Sequence, residues 1–334
     1  MNELETLAGN VIVCGFDGLE APAMVHRWLS EQSVAGLILF KRNIDDLEQT
    51  VGLVASCVQG RSAALPALVC IDQEGGRVAR LGDPVLSLPA MQTLAAAGDS
   101  GLTRDAATVL GRQLRAIGIN LNFAPVLDVD TNPQNPVIGD RAFGRTPEVV
   151  IEHGLAFADG LRDGGVLCCG KHFPGHGDTD LDSHFALPTL RHDLRRLNEI
   201  ELAPFRAAAK RLPSLMTAHV VFEALDSNLP ATMSPLAIDG LLRRELGFEG
   251  AVFSDDLEMK AITQRYAIEE AGVLAIEAGC DLLLVCSDLE AAATVRHALA
   301  TEAARSKPFQ VRLTEARSRA DALRKRIRTL PPAV

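Results

Sequence analysis

Residues 166–173 read Val-Leu-Cys-Cys-Gly-Lys-His-Phe, and this stretch shows how the chain folds. Its first four residues form a continuous apolar run, as expected for a β-strand that is buried on both faces of a parallel sheet. Similar short runs, rich in Val, Ile, Leu and Cys, recur along the chain. The eight predicted strands cover residues 10–16, 34–40, 67–72, 120–128, 166–173, 214–220, 250–255 and 281–287.

Helical patterns separate these predicted strands. They cover residues 22–32, 44–59, 104–117, 147–162, 194–210, 236–246 and 267–278. Parallel strands need such crossover helices, and eight β/α units fit a closed barrel better than an open doubly wound sheet. No Gly-x-Gly-x-x-Gly opens a helix after the first strand, which counts against a dinucleotide-binding sheet. We therefore predict an α/β fold in which residues 1–334 form one catalytic domain, a single-domain (β/α)8 TIM-type barrel with C-terminal helices from Leu289 onward.

Composition excludes several classes of function. The 334 residues include 33 Lys and Arg against 43 Asp and Glu, which gives a formal charge of −10. Because nonspecific nucleic-acid binding depends on clustered cations, a nucleic-acid partner is not expected. Apolar runs are all interrupted before 18 residues, the N-terminus is acidic, and most of the seven cysteines lie in strand-like runs. We expect a reduced, cytoplasmic protein without a membrane span or an export signal.

Polar side chains follow five of the eight predicted strands. They are Asp72 and Arg80 after strand three, Asp128 and Asp130 at strand four, Lys171 and His172 in strand five, His219 near the end of strand six, and Asp255 with Asp256 at strand seven. Chemistry in a barrel of this kind collects at the C-terminal ends of the strands. Each residue taken singly could instead be a solvated loop charge or a helix cap.

The densest polar cluster reads KHFPGHGDTDLDSH at residues 171–184. A metal site built from His172, His176 and an aspartate is one interpretation. The spacing falls across a Gly- and Pro-rich loop, however, so we predict no metal and no cofactor. The favoured interpretation is a loop that carries a proton-transfer group, with Asp182 orienting His184.

Asp255 is the best candidate to react beside that proton-transfer group. A carboxylate at the mouth of the barrel can attack an anomeric carbon while an acid protonates the leaving oxygen from the other face of the sugar. The residues therefore favour glycoside hydrolysis.

Five motifs resemble those of glycoside hydrolase family 3, in particular its NagZ-type β-N-acetylhexosaminidases. They are IDQEGGRVAR at 71–80, KHFPGHGDTDLDSH at 171–184, MTAH at 216–219, PATMSP at 230–235 and FSDDL at 253–257. The resemblance implies a barrel that removes terminal β-linked N-acetylglucosamine with retention. The substrates it implies are muropeptides of peptidoglycan recycling, that is, GlcNAc-anhydroMurNAc peptides.

The resemblance also implies roles for particular residues. It places the nucleophile at Asp255, the acid–base group at His184 and its supporting carboxylate at Asp182. It places sugar binding at Asp72, Arg80, Arg141, Lys171 and His172.

Other interpretations of several residues remain open. Arg80 could form a structural ion pair with Asp72 or Glu74, and His176 fits a loop-bracing role better than a catalytic one. Asp128 and Asp130 could line the site or hold the Arg141 loop. His219, Ser254 and Asp256 are expected behind the site, and Trp28 and Tyr266 in packing.

Aromatic residues make up only 4% of the chain, with one Trp and one Tyr, which disfavours a lectin-like binding module. Three alternatives to the hydrolase remain. They are a β-N-acetylglucosaminide phosphorylase, a broader β-glycosidase and a catalytically silent barrel. We expect a monomer or a weak homo-oligomer whose partner is a small glycan.

Overall fold

Eight parallel strands close into a barrel. The computed structural model describes residues 3–180, 182–183 and 187–332. The barrel strands are β1 Ile12–Cys14, β2 Gly36–Leu39, β3 Leu68–Ile71, β4 Leu121–Asn122, β5 Leu167–Phe173, β6 Ser214–Thr217, β7 Ala251–Asp256 and β8 Leu282–Val285. Each strand pairs in parallel with its neighbours in the chain, and β8 pairs with β1. The predicted (β/α)8 barrel is confirmed.

Helices connect the strands around the outside of the barrel. They are α1 Glu3–Gly9, α2 Ala23–Ser30, α3 Leu47–Val58, α4 Met91–Ala95, α5 Ser100–Ile117, α6 Pro147–Asp163, α7 Leu194–Glu199, α8 Ala203–Ala208, α9 Lys260–Thr263, α10 Ile268–Ala278, α11 Leu289–Arg305 and α12 Lys307–Arg326, with a π-helix at Leu236–Glu245. Two small two-stranded sheets lie outside the barrel. They pair Gln73–Gly75 with Val78–Ala79, and Thr189–Leu190 with Val221–Phe222.

Alternate residues of each strand face the inside of the barrel. Leu68 and Cys70 of β3 belong to the interior cluster, whereas Val69 and Ile71 pack against the helices. This alternation follows from the two-residue period of a strand. Because both faces are covered, the strands are apolar throughout, as the continuous runs in the sequence indicate.

The structure differs from the predicted elements in two places. In the region 120–128 the barrel strand comprises only Leu121–Asn122, and Val126 adds an isolated parallel bridge to Lys171. The single helix predicted at 194–210 is divided into α7 and α8. Pro204 accounts for the break, since a proline within a helix cannot donate to the carbonyl four residues earlier and its ring collides with that carbonyl.

The C-terminal helices close the base of the barrel. Arg324 of α12 is completely buried and donates to the carbonyls of Leu65 and Pro66 and to Oδ1 of Asn10. All seven cysteines belong to the described residues, and each is buried without a disulfide. Within the described ranges, no helix combines the length and the apolar character that a membrane crossing requires.

Candidate active site

A cavity of about 300 Å³ opens at the C-terminal ends of the barrel strands. Seven of the eight residues predicted to act on substrate line it. They are Asp72, Arg80, Arg141, Lys171, His172, Asp182 and Asp255. The eighth, His184, lies outside the described residues. The barrel therefore brings together groups that are up to 183 positions apart in the sequence.

Lys171 is the centre of a buried charge cluster on one side of the cavity. Its Nζ lies 2.7 Å from Oδ1 of Asp72 and 2.7 Å from Oε1 of Glu74. Since an ammonium group has three N–H donors, one donor remains for a ligand. Arg80 adds a contact of 3.3 Å from Nη2 to Oδ2 of Asp72, so the sequence alternative of an Arg80 ion pair with Asp72 is present in the structure.

Glu74 also belongs to this cluster, although the sequence indicated it only as a possible partner for Arg80. Its carboxylate accepts two hydrogen bonds from Arg141, from Nε at 2.9 Å and from Nη2 at 2.8 Å. Arg141 also donates from Nη1 to the carbonyl of Val137 at 3.1 Å. The signal available in the sequence was a glutamate two residues beyond Asp72 in the motif at 71–80.

Mutual attraction keeps this cluster ionised. Burial alone would raise the pKa of Glu74, but Arg141 and Lys171 bring that pKa well below its usual range. Burial would likewise raise the pKa of Asp72, and Lys171 and Arg80 lower it overall. Burial opposes the charge on Lys171, but the two carboxylates raise its pKa. The carboxylates can accept hydrogen bonds from sugar hydroxyls while the cations donate them.

Asp128 holds the two histidines that follow the cluster. Its Oδ2 lies 2.7 Å from Nδ1 of His172, and its Oδ1 accepts the main-chain N–H of His176 at 2.7 Å. Asp130 instead contacts Arg145, at 3.3 Å. The sequence left two roles open for Asp128, lining the site or holding the Arg141 loop, and the structure shows neither. It lies beneath the cavity wall and orients His172.

His176 braces the loop. Its Nδ1 lies 2.7 Å from Oγ1 of Thr179, and its Nε2 lies 3.1 Å from Oγ of Ser183. Burial and the neighbouring His172 lower the pKa of His176 to about 4. A ring that is neutral and bonded at both nitrogens fits the bracing role better than proton donation. Among the described residues, no group of three or more His, Cys, Asp or Glu side chains is arranged to hold a metal ion.

Asp255 lies at the end of β7, on the side of the barrel opposite β3. Its Oδ1 accepts the N–H of Asp256 at 2.8 Å. Burial would raise its pKa, but His219 and His172 lower it overall. The carboxylate is therefore ionised at neutral pH, which a carboxylate nucleophile requires.

Asp182 is half-buried and lines the cavity next to buried Ser183. The loop is attached on both sides, through the His176 to Ser183 contact and through the N–H of Ala261, which donates to the carbonyl of Ser183 at 3.2 Å. Gly177 permits the close approach of the loop to the segment that follows β4, because a Cβ there would lie 1.8 Å from the carbonyl oxygen of Val129. Asp182 is thus placed where the predicted proton-transfer loop meets the cavity.

The model of the glycosyl hydrolase family 3 N-terminal domain matches residues 6–316. The chain belongs to glycosyl hydrolase family 3. It is 42% identical over 278 residues to a protein of Methylococcus capsulatus named beta-hexosaminidase, covering 81% of each chain. This glycoside hydrolase is thus of the β-hexosaminidase type.

Solved structures of the family agree with the fold. A family 3 β-N-acetylglucosaminidase of Paenibacillus sp. FPU-7 is 43% identical with a TM-score of 0.92, and the match covers 100% of this chain and 64% of that one. NagZ of Neisseria gonorrhoeae, solved with N-trifluoroacetyl-D-glucosamine, is 32% identical with a TM-score of 0.78, over 93% of this chain and 98% of that one.

The glycoside hydrolase also has apolar walls around the polar groups of its cavity. Ile38, Phe123, Met216 and Leu284 contribute to them. Two guanidinium groups lie close to the Phe40 ring, with Cζ of Arg42 at 4.6 Å and Cζ of Arg80 at 5.4 Å from its centroid. Asp256, which the sequence analysis expected behind the site, also lines the cavity.

Proposed function

We propose that the chain is a retaining exo-β-N-acetylglucosaminidase that removes terminal β-linked N-acetylglucosamine. The observation that carries this proposal is the position of Asp255, an ionised carboxylate across the barrel from the Asp72, Glu74, Lys171 and Arg141 cluster. A sugar bound by its hydroxyls to that cluster presents its anomeric carbon to Asp255. The cavity is small, about 300 Å³, which fits binding of a single terminal sugar residue.

The proposed reaction has two steps. In the first, Asp255 attacks the anomeric carbon, the bond to the leaving oxygen breaks, and His184 supplies the proton that this oxygen takes. In the second, His184 removes a proton from water, which attacks the glycosyl-aspartate and releases the sugar with retention. Asp182 orients His184, and Arg80 and His172 bind the sugar with the cluster residues.

We further propose that the natural substrates are GlcNAc-anhydroMurNAc peptides, hydrolysed in the cytoplasm by a monomer or a weak homo-oligomer. The motif resemblance to NagZ-type enzymes suggests this choice, and the likeness to NagZ of Neisseria gonorrhoeae, solved with N-trifluoroacetyl-D-glucosamine, supports the sugar. We also propose that the whole chain, 1–334, acts as one catalytic domain.

Trapping with a slow-turnover 5-fluoro derivative of β-N-acetylglucosamine tests the proposal. We expect one equivalent of sugar on Asp255, located by peptide mass spectrometry, and a β-configured first product by NMR. Asp255→Asn should fold and lose nearly all activity, whereas Asp239→Asn, at an exposed position, should retain it. A label on another residue would refute the nucleophile. An initial α-product would refute retention, and sugar 1-phosphate formed with phosphate would indicate a phosphorylase.

A further inference from the structure

A β-bulge in β7 turns a second carboxylate toward the cavity. Phe253 pairs with Leu282 and Asp256 pairs with Leu284, so β7 advances three residues where β8 advances two. Successive side chains of a regular strand point to opposite faces. The extra residue changes this alternation, and both Asp255 and Asp256 line the cavity.

Main-chain groups hold the carboxyl group of Asp256 through only one of its two oxygens. Its Oδ1 accepts the main-chain N–H groups of Glu258 at 3.1 Å and Cys286 at 3.3 Å. No side chain or main-chain group of the described residues donates to Oδ2. The nearby His219 contacts the main-chain carbonyl of Asp256, at 2.9 Å from Nε2. Oδ2 is thus the atom available to a ligand.

The position of Asp256 also determines which part of a bound sugar its carboxyl group can reach. The hydroxyl-binding cluster and Asp255 lie on opposite sides of the barrel. In the proposed reaction the anomeric carbon lies over Asp255. Asp256 is directly beside it, since its N–H donates to Oδ1 of Asp255 at 2.8 Å. The ring neighbours of the anomeric carbon are the ring oxygen and C2, and only C2 carries a substituent.

The surroundings of Asp256 favour a protonated carboxyl group. Burial raises its pKa to about 7, and the carboxylates of Glu258 and Asp255 contribute to the rise. Oδ1 is occupied as an acceptor of two main-chain N–H groups, so the proton belongs on Oδ2. Below neutral pH the cavity therefore contains a hydrogen-bond donor next to the nucleophile.

We propose that Asp256 is a specificity-determining residue that donates a hydrogen bond from Oδ2 to the acetamide carbonyl at C2 of the sugar. The inference rests on the proposed function and deepens it, because it names the residue that distinguishes a 2-acetamido sugar. Asparagine is the informative replacement. The two N–H groups fix its Oδ1, and its Nδ2 then presents a donor to the cavity.

A substrate cycle at pH 6 tests the contact. kcat/KM is measured with 4-nitrophenyl 2-acetamido-2-deoxy-β-glucoside and with the matching 2-deoxy-β-glucoside, which lacks a C2 substituent. We expect Asp256→Ala to lose about tenfold more on the first substrate than on the second. For Asp256→Asn, the excess loss on the acetamido substrate should be at least threefold smaller than for Asp256→Ala. Asp239→Asn alters an exposed carboxylate outside the cavity and should affect both substrates by the same factor.

Each other outcome overturns part of the proposal. If Asp256→Ala loses the same factor on both substrates, Asp256 does not contact the substituent at C2. If Asp256→Asn is as impaired as Asp256→Ala, residue 256 does not donate a hydrogen bond to the acetamide carbonyl. If the alanine variant unfolds, Asp256→Leu, of similar size, replaces it in the cycle. A wild-type enzyme that shows no preference for the acetamido substrate would refute the proposed function itself. That result is distinct from equal losses of Asp256→Ala on both substrates, which would refute only the contact at C2.

Discussion

Glu74 accepts two hydrogen bonds from the Arg141 guanidinium, at 2.8 and 2.9 Å, although the two residues are 67 positions apart. The same carboxylate lies 2.7 Å from Nζ of Lys171. One buried anion therefore fixes two cations of the sugar-binding side. Its side chain is only 1% exposed.

Replacing Glu74 should damage both stability and turnover. Glu74→Ala leaves Arg141 and Lys171 close together without their shared anion, and losing one partner of a buried ion pair typically costs about 3–5 kcal/mol. We expect this loss in urea unfolding, together with a fall in kcat/KM. Glu74→Gln should be intermediate, since its amide accepts at only one atom.

Glu199→Gln is the matched control for this prediction. Glu199 pairs with Arg195 on the surface at 58% exposure, so its loss should change the unfolding free energy by less than about 1 kcal/mol. A Glu74→Gln variant as stable and active as Glu199→Gln would show that Glu74 does not position the cations.

His184→Ala should be sensitive to the leaving group. General acid catalysis contributes about 10²–10⁴ in rate, and its value is greatest when the leaving oxygen is basic. We expect a severe loss on a natural disaccharide and a smaller one on a dinitrophenyl glycoside, where azide should partly restore turnover. Equal losses on both substrates would assign His184 a binding or structural role.

Asp182→Asn should give a milder version of the same leaving-group dependence. The substitution retains the imidazole but weakens its orientation, and Asp182 lines the same cavity. The measurement is the ratio of kcat/KM on the two substrates. A ratio equal to that of wild type would separate Asp182 from proton transfer.

The contribution of Asp128 to stability should depend on pH. Burial would raise its pKa, but His172 and the N–H of His176 lower it overall in the folded state. A lowered carboxyl pKa adds stability that is complete above the unfolded value of about 3.9 and is lost as the pH falls through the folded value. The stability advantage of wild type over Asp128→Asn should therefore be fully present at pH 5.

That advantage should shrink below about pH 4, and urea titrations at pH 7, 5 and 3.5 measure it. Asp239→Asn, at an exposed carboxylate, provides the comparison. A wild-type advantage over Asp128→Asn that stays the same down to pH 3 would show that the Asp128 pKa is not lowered by folding.

Activity should survive a metal chelator. Three of the four ring nitrogens of His172 and His176 contact protein groups, with Nδ1 of His172 on Asp128 and both nitrogens of His176 on hydroxyls. Incubation with EDTA, followed by dialysis, should leave kcat/KM within twofold. Loss of activity that is restored by adding a divalent ion would instead support a metal site.

The sequence by itself determined the barrel and most of the charged residues around the cavity. Strand-like runs such as 166–173 are apolar because both of their faces are covered, and this pattern is local. A closed parallel barrel also requires that residues following the strands meet at one end. Asp72, Lys171 and Asp255 could therefore be placed together from their positions after strands three, five and seven.

Only the tertiary structure decided which of these side chains pair. Glu74 with Arg141 and Asp128 with His172 are contacts between separate strand ends, and their geometry depends on loop paths that have no sequence period. The direction of Asp256 depends on one extra residue in β7 relative to β8. A register shift of this kind is a relation between two strands, so neither strand's own sequence contains it.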